Sequence, residues 1–134
     1  MQFDDFVGQV QHRARLASTG EAMRAIHATL MTLGERLFGG EANDLAAQLP
    51  QEIGTYLRMA VQLDNFDARE FCERVQQREG VNYPDAVFHA RAVMSVIRDA
   101  VSPGELRDMR DQLPADYNSL FEWGEGDQAD RKAA

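Results

Sequence analysis

The chain has a single cysteine, Cys72, so it cannot form a disulfide within itself. Cys72 follows Phe71 in a segment with helical periodicity, and we expect a thiol near the core, since a reactive nucleophile would need a nearby base. Long apolar runs are also absent, whereas a membrane-spanning helix needs about 20 such residues. The opening MQFDDFVGQV is acidic where a signal peptide is basic. These absences predict a cytoplasmic protein.

Lysine is almost missing, because Lys132 is the only lysine among 14 basic residues. The 22 acidic residues outnumber the basic ones and leave a formal net charge of -8. Sequence-independent nucleic-acid binding needs a dense field of cations that displaces counterions, and anionic membrane surfaces also attract basic clusters. We therefore expect neither nucleic acid nor membrane as a partner. The preference for arginine is typical of a GC-rich genome and favours a bacterial source.

Strand patterns and catalytic motifs are lacking as well. No window alternates apolar and polar residues as a half-buried strand does. The chain has no phosphate-binding glycine loop, no Gly-x-Ser-x-Gly elbow and no Cys-His arrangement. His12, His27 and His89 lie on three different predicted helices without metal-ligand spacing, and we interpret them as partly exposed helical residues. The sequence thus predicts no enzyme, no metal site and no cofactor.

What the chain does contain is a repeat. The segment AAQLPQEIGTYL, residues 46 to 57, returns as RDQLPADYNSLF at residues 110 to 121, an offset of 64. The same offset aligns Gly40 with Gly104, Glu41 with Glu105, Asp44 with Asp108, Gln48 with Gln112, Leu49 with Leu113 and Pro50 with Pro114. Near the start the offset is 65, and Phe6, Val10 and Arg13 meet Phe71, Val75 and Arg78. We interpret the chain as two copies of one unit.

Capping residues and prolines mark the helix boundaries within each copy. The expected N-caps are Ser18, Asp67 and Ser102, each followed three residues later by Glu21, Glu70 or Glu105, and the expected C-cap is Gly80. Pro50 and Pro114 cannot continue a helix without losing a hydrogen bond, but they suit the start of the next one. Each Gln-Leu-Pro is therefore predicted to be a corner between two short helices.

These features predict an all-α fold. We expect a tandem duplication of a four-helix unit of roughly 60 residues, with about eight helices packed about a pseudo-twofold axis. The repeats would span about residues 1–60 and 66–123 and share one core as a single globular domain, because one unit alone has too little apolar surface to bury. Residues 124–134 have no apolar side chain larger than Ala, and we expect a flexible tail.

The chain resembles the bacterial and archaeal domain-of-unknown-function 2267 family. The resemblance rests on FDDFVGQV, on ARAVMSVIRDAV followed by GEL, on the two QLP corners and on DYNSLF. It implies an all-α fold and carries no activity with it. The first copy departs from the stronger pattern at Gly34 and Gly54, which we expect to loosen their helices by about 1 kcal/mol each relative to Ala.

The candidate binding residues are the repeated polar side chains at the corners: Asp44, Gln48, Asp108 and Gln112. One interpretation is structural, with each Gln capping a backbone group freed by the following Pro and each Asp favouring its helix dipole. The other is that the two corners line a symmetric groove that receives a partner or ligand. Glu41 and Glu105 have the position of ordinary first-turn acids.

Trp123 is the fifth candidate, because it lies just past the last predicted helix and either covers the core or anchors a partner. The favoured function is a non-enzymatic, regulatory or accessory module that docks an unidentified protein, or associates with itself as a homodimer, through a groove between the copies. The alternative is a small-ligand sensor with its ligand in the cleft between repeats. An apolar cavity with converging Gln and Arg side chains at the pseudo-twofold axis would favour the ligand, and a flat exposed apolar patch of several hundred square ångströms would favour the partner.

Overall fold

The computed structural model describes residues 1–123, which form helices and connecting loops. The helices are α1 (Phe3–Arg13), α2 (Thr19–Arg36), α3 (Glu41–Ala47), α4 (Gln51–Met59), α5 (Ala68–Glu79), α6 (Tyr83–Ala100), α7 (Pro103–Asp111) and a closing 3₁₀ helix (Ala115–Phe121). The predicted all-helical chain of about eight helices is confirmed for these residues. The tail predicted at 124–134 lies outside them. We call α1–α4 the first half and α5 onwards the second half.

Helix boundaries follow the predicted capping residues. The side chains of Ser18, Asp67 and Ser102 each accept a hydrogen bond from the backbone N–H three residues further on. Gly80 ends α5 with φ of 76°, a left-handed conformation that glycine adopts without a side-chain clash. The cap of α6 is Asn82, whose side chain accepts from the backbone N–H of residue 85. Local side-chain chemistry therefore determines where these helices begin.

The two long helices, α2 and α6, form the centre of the molecule. Helix α2 packs against α1, α4, α5 and α6, while α6 also contacts α1, α5 and the 3₁₀ helix. The apolar stripe of α2 and that of α6 are fully buried, with Leu30, Leu33, Met94 and Ile97 at 0% exposure. Burial of one such side chain stabilises the fold by about 1.5–3 kcal/mol. One apolar cluster includes residues of both halves, so neither half has a core of its own.

Two arginine–carboxylate pairs join the halves. Arg13 on α1 lies with Nη2 2.6 Å from Oδ2 of Asp99 on α6. Arg78 on α5 lies with Nη2 2.6 Å from Oε2 of Glu35 on α2. In the sequence, Arg13 and Arg78 are 65 residues apart, and Glu35 and Asp99 are 64 apart. The first helix of each half is therefore paired with the long helix of the other half.

The connection between the halves, residues 60–67, is held to the helices by several hydrogen bonds, two of them to the carbonyl of Phe66. The carbonyl oxygen of Phe66 accepts hydrogen bonds from Nε of Arg36, at 2.8 Å, and from the hydroxyl of Tyr117, at 2.6 Å. Both donors are buried, and burial raises the pKa of the Tyr117 phenol. The Arg36 guanidinium also lies 5.4 Å from the centroid of the Tyr117 ring. This connection is thus part of the packed structure.

Gly34 and Gly54 have a packing role beyond the expected loss of helix propensity. A Cβ added to Gly54 would lie 2.7 Å from the carbonyl oxygen of Ala46 on α3. A Cβ added to Gly34 would lie 2.9 Å from the carbonyl oxygen of Leu57 on α4. No side chain fits at either distance, so glycine allows α4 to approach both α2 and α3 closely.

Candidate functional site

The first polar cluster between the halves is a pair of buried carboxyl groups, Glu41 at the start of α3 and Glu105 in the first turn of α7. Burial, a hydrogen bond to Glu105 and the negative charges of Glu105, Asp44 and Asp108 together raise the pKa of Glu41 to about 8. The Oε1 atom of each Glu is buried and accepts no hydrogen bond from an N–H or hydroxyl donor of residues 1–123, so a proton kept by one carboxyl serves the other. We call these four acids the carboxyl seam. Their first-turn positions alone did not predict that they meet.

Gln48 and Gln112 bind the backbone of the opposite half beside this seam. Oε1 of Gln112 accepts from the backbone N–H of Phe38 at 3.0 Å, and its Nε2 donates to the Phe38 carbonyl at 2.9 Å. Oε1 of Gln48 accepts from the backbone N–H of Ser102 at 2.8 Å. Phe38 and Ser102 are 64 residues apart, as are the two glutamines. Both glutamines therefore have a structural use in the fold.

The structure brings four of the five sequence-predicted residues together. Asp44 and Asp108 are exposed, and their negative charges help to raise the pKa of Glu41. Asp44 lies on α3, which ends at Gln48, and Asp108 lies on α7, which ends at Gln112. Trp123 is elsewhere, half-buried against α6, with its ring centroid 5.4 Å from that of Phe88. A binding role for these five residues stays a prediction.

The second polar cluster lines a cavity of about 410 Å³ between the halves, which we call the inter-half cleft. The first half contributes one group of lining residues, and the second half contributes the other. The lining residues are Ala14, Arg15, Leu16, Glu21 and Arg24 from the first half and Glu79, Val81, Asp85 and His89 from the second. The cleft therefore exists only when the two halves are packed together.

A buried acid–histidine pair lies in the cleft lining. Glu79 at the end of α5 and His89 on α6 are 3% and 7% exposed, and Oε2 of Glu79 is hydrogen-bonded to Nδ1 of His89. The interpretation of all three histidines as partly exposed is thus wrong for His89, although His12 and His27 are exposed. The other carboxyl oxygen of Glu79, Oε1, is buried and has no hydrogen-bond partner among the described residues. Sequence reasoning missed this pair because it spans a loop, with no motif spacing.

Arg15 lies on the cleft in a strained backbone conformation. Its φ is 56°, and within residues 1–123 it is the only residue other than glycine with a positive φ. The residue 65 positions later is Gly80, with φ of 76°. An L-residue in this region costs roughly 1–2 kcal/mol that glycine avoids. Such strain clusters at functional sites, where the position of a side chain outweighs the cost.

The two halves differ in the cleft at the positions of its charged and histidine side chains. At offsets of 65 or 64, Ala14 corresponds to Glu79, Arg15 to Gly80, Arg24 to Phe88 and Ala25 to His89. By contrast, Glu21 corresponds to another acid, Asp85, and each lies in the first turn of its helix. The arginines and the Glu79–His89 pair are therefore specific to one half each.

The chemistry of the cleft is that of hydrogen bonds and charge. In the described part of the chain, no three His, Cys, Asp or Glu side chains are grouped as metal ligands would be. Nor does any helix there have the length and apolar character needed to cross a bilayer.

Cys72 is buried, as expected of a thiol near the core, and burial raises its pKa to about 11. A His held by a carboxylate can orient a ligand or exchange a proton with it.

Comparison with known proteins identifies the family. The model of the family described as Uncharacterized conserved protein (DUF2267) matches residues 3–120, which is most of the chain and confirms the resemblance noted in the sequence. The search of curated proteins found no match. The chain belongs to the DUF2267 family.

Proposed function

We propose that this DUF2267 member binds a small polar ligand in the inter-half cleft, and that it acts by binding and not by catalysis. The observation that carries the proposal is the buried Glu79–His89 pair. Oε1 of Glu79 has no hydrogen-bond partner in residues 1–123. The cavity of about 410 Å³ falls within the range of roughly 300–1,000 Å³ of small-molecule sites. A sensor with its ligand between the halves therefore fits better than docking at the corners.

We further propose that the halves are copies of one four-helix unit related by a pseudo-twofold axis. Support comes from contacts that occur in matching pairs, Arg13–Asp99 with Arg78–Glu35 and Gln48–Ser102 with Gln112–Phe38. The cleft is lined by residues of corresponding segments, residues 14–16 of the first half and residues 79 and 81 of the second. Two identical copies would line the cleft with the same residues on both sides. The charged and histidine side chains that differ between the halves are therefore those that give the cleft its two unlike sides.

A protein-interaction function is the second candidate. The end of α4 and the connection after it expose three apolar side chains, Met59, Val61 and Leu63, at 60%, 73% and 56%. Such a strip suits contact with another protein or with a second copy of this chain. Analytical ultracentrifugation of the protein and of a Val61→Ser/Leu63→Ser variant tests self-association. A dimer abolished in the variant would support this function, and a monomer at all concentrations would contradict the homodimer.

Ligand binding in the cleft is tested with a library of polar small molecules in a thermal-shift assay. The blocked variant is Val81→Trp, which fills the cleft and leaves Glu79 and His89 in place. Its control is Gln77→Trp, on the exposed side of α5 and outside the cleft lining. We expect at least one compound to raise the Tm of the wild type and of the control by several degrees, because a ligand that binds only the folded state stabilises it.

The blocked variant should lose that response. If no compound raises the Tm of the wild type, or if every active compound still stabilises Val81→Trp, then binding in the cleft is wrong.

A further inference from the structure

The charges of the inter-half cleft are divided between its two sides. The first half contributes the guanidinium groups of Arg15 and Arg24, and the second half contributes the Glu79 carboxylate with His89. Glu21 of the first half and Asp85 of the second are acids at corresponding positions, so they contribute equal charge to the two sides of the cleft. Oε2 of Glu21 also accepts a hydrogen bond from the backbone N–H of residue 17, at 3.2 Å, and so serves the start of α2. The cleft is therefore dipolar.

The acidic side of the cleft calls for a hydrogen-bond donor. Oε1 of Glu79 is buried, and a buried acceptor left without a donor destabilises the fold. His89 already uses Nδ1 on the other oxygen, Oε2. A ligand ammonium group would supply both the missing donor and a charge-assisted hydrogen bond, which is roughly twice as strong as a neutral one.

The basic side is chemically suited to a planar anion. A guanidinium presents its N–H donors as a rigid fork that matches the two oxygens of a carboxylate. Arg15 is placed on the cleft at the expense of a left-handed backbone, where the corresponding residue of the other half is Gly80. Arg24 is exposed one helical turn beyond Glu21 on α2. Both side chains thus belong to the half that lacks the Glu79–His89 pair.

The mixed charge of the lining disfavours ligands that carry charge of one sign only. Two arginines and one histidine face three acids in the lining, in a protein whose formal net charge is -8. A polyanion would be repelled by the negative charge of the protein, and a simple cation would be repelled by the two guanidinium groups. A volume of about 410 Å³ lies at the small end of the range for ligand sites. The remaining class is a small molecule that carries both charges.

We propose that the cleft binds a small zwitterion of the amino-acid type, with its ammonium group on Glu79 and its carboxylate on Arg15 and Arg24. This inference rests on the proposed ligand-binding function and names the chemical class of its ligand. The ligand bridges the two halves, since the groups that hold its two ends come from different halves.

The test uses free L-amino acids as probes, first in pools and then singly, with binding measured by isothermal titration calorimetry. For each amino acid that binds, its N-acetyl and its carboxamide derivatives are titrated into the same protein. We expect both derivatives to bind at least tenfold more weakly, because each removes one of the two charges. An N-acetyl derivative that binds as tightly as the free amino acid would overturn the assignment to Glu79, and a carboxamide that does so would overturn that to the arginines.

Variants assign each end of the ligand to its side chain. Glu79→Gln and Arg24→Gln should each weaken binding at least tenfold, whereas the controls Glu73→Gln on α5 and Arg107→Gln on α7, both exposed and outside the cleft, should leave it unchanged. Unchanged binding in Glu79→Gln would contradict the proposal. If Glu79→Gln does not fold, the derivative series on the wild type decides alone.

The result also separates the class of ligand from the existence of the site. If no free amino acid binds, but another compound stabilises the wild type and not Val81→Trp, the zwitterion is wrong and ligand binding in the cleft stands. If amino acids bind equally well to Val81→Trp, the location in the cleft is wrong, and both proposals fail.

Discussion

The carboxyl groups of Glu41 and Glu105 lie in hydrogen-bond contact between α3 and α7, buried and without a basic partner among the groups that shift the Glu41 pKa. Two carboxylates within hydrogen-bond reach of each other repel unless one of them keeps a proton. The exposed acids Asp44 and Asp108 add to the repulsion. The contact between α3 and α7 therefore depends on pH.

We expect the protein to lose stability as the pH rises from about 4.5 to about 8. The pKa of Glu41 is raised from 4.5 to about 8 in the folded protein, so the folded state binds more protons than the unfolded state in this window. The contribution of this group is fully present below the unfolded pKa and is lost as the pH rises through the folded pKa. Its slope is at most about 1.4 kcal/mol per pH unit. Urea unfolding at pH 5.5, 7 and 8.5 measures it.

The variant Glu41→Gln isolates this effect, because its amide donates to Glu105 without titrating. We expect it to exceed the wild type in free energy of unfolding at pH 8.5 and to show a smaller loss between pH 5.5 and 8.5. Glu52→Gln, at an exposed position on α4, is the control and should follow the wild type. Equal pH dependence in Glu41→Gln and the wild type would show that the pair does not share a proton.

Replacement of Gly54 by Ala should destabilise the protein by about 1–3 kcal/mol, although Ala is the better helix former. The reason is the carbonyl oxygen of Ala46, which would lie 2.7 Å from the new Cβ. Gly8→Ala on α1 is the matched control, because no atom lies within 4 Å of its added Cβ. It should gain up to about 1 kcal/mol. Denaturant unfolding of both variants would refute the packing role of Gly54 if the two changed in the same direction.

Gln112→Ala should cost about 1–2 kcal/mol, because it removes two hydrogen bonds to the backbone of Phe38. Gln48→Ala removes one hydrogen bond, from the backbone N–H of Ser102, and should cost about half as much. The exposed Gln77→Ala is the control and should change the free energy of unfolding by less than about 0.5 kcal/mol. A Gln112→Ala variant as stable as the control would leave the binding hypothesis as the better reason for this side chain.

Arg15→Gly should raise the free energy of unfolding by about 1 kcal/mol, because glycine adopts φ of 56° without strain. The reverse change in the other half, Gly80→Ala at φ of 76°, should lower it. If the arginine serves the cleft, Arg15→Gly gains stability and loses ligand affinity, a trade-off typical of functional positions. Thermal unfolding and calorimetry on the same preparations measure both. A variant that is less stable than the wild type would show that Arg15 is held by its contacts and not strained.

Much of the fold was open to prediction because it depends on residues close together in the chain. Ser18, Asp67 and Ser102 cap their helices through atoms three residues away, and Gly80 ends α5 by its own backbone freedom. These are local interactions, and local spacing reveals them. The candidate residues Gln48 and Gln112 were found by repetition alone, which did not tell what they contact.

The groups that give the molecule its polar sites could not be found in this way. His89 meets Glu79 only when the consecutive helices α5 and α6 pack together, and Glu41 meets Glu105 only when α3 packs against the distant α7. Neither pair has a recognised motif spacing. The strain at Arg15 was equally hidden, because αL backbone is expected at glycine and not at arginine.

The amino-acid sequence by itself determined the helical class, several helix ends and the family, since periodicity, caps and motifs are patterns that can be read along the chain. Only the tertiary structure decided which charges become buried and which face one another. The reason is physical: the pKa of a carboxyl and the strength of an ion pair depend on distance and burial, and both are set by helices that come together from opposite halves.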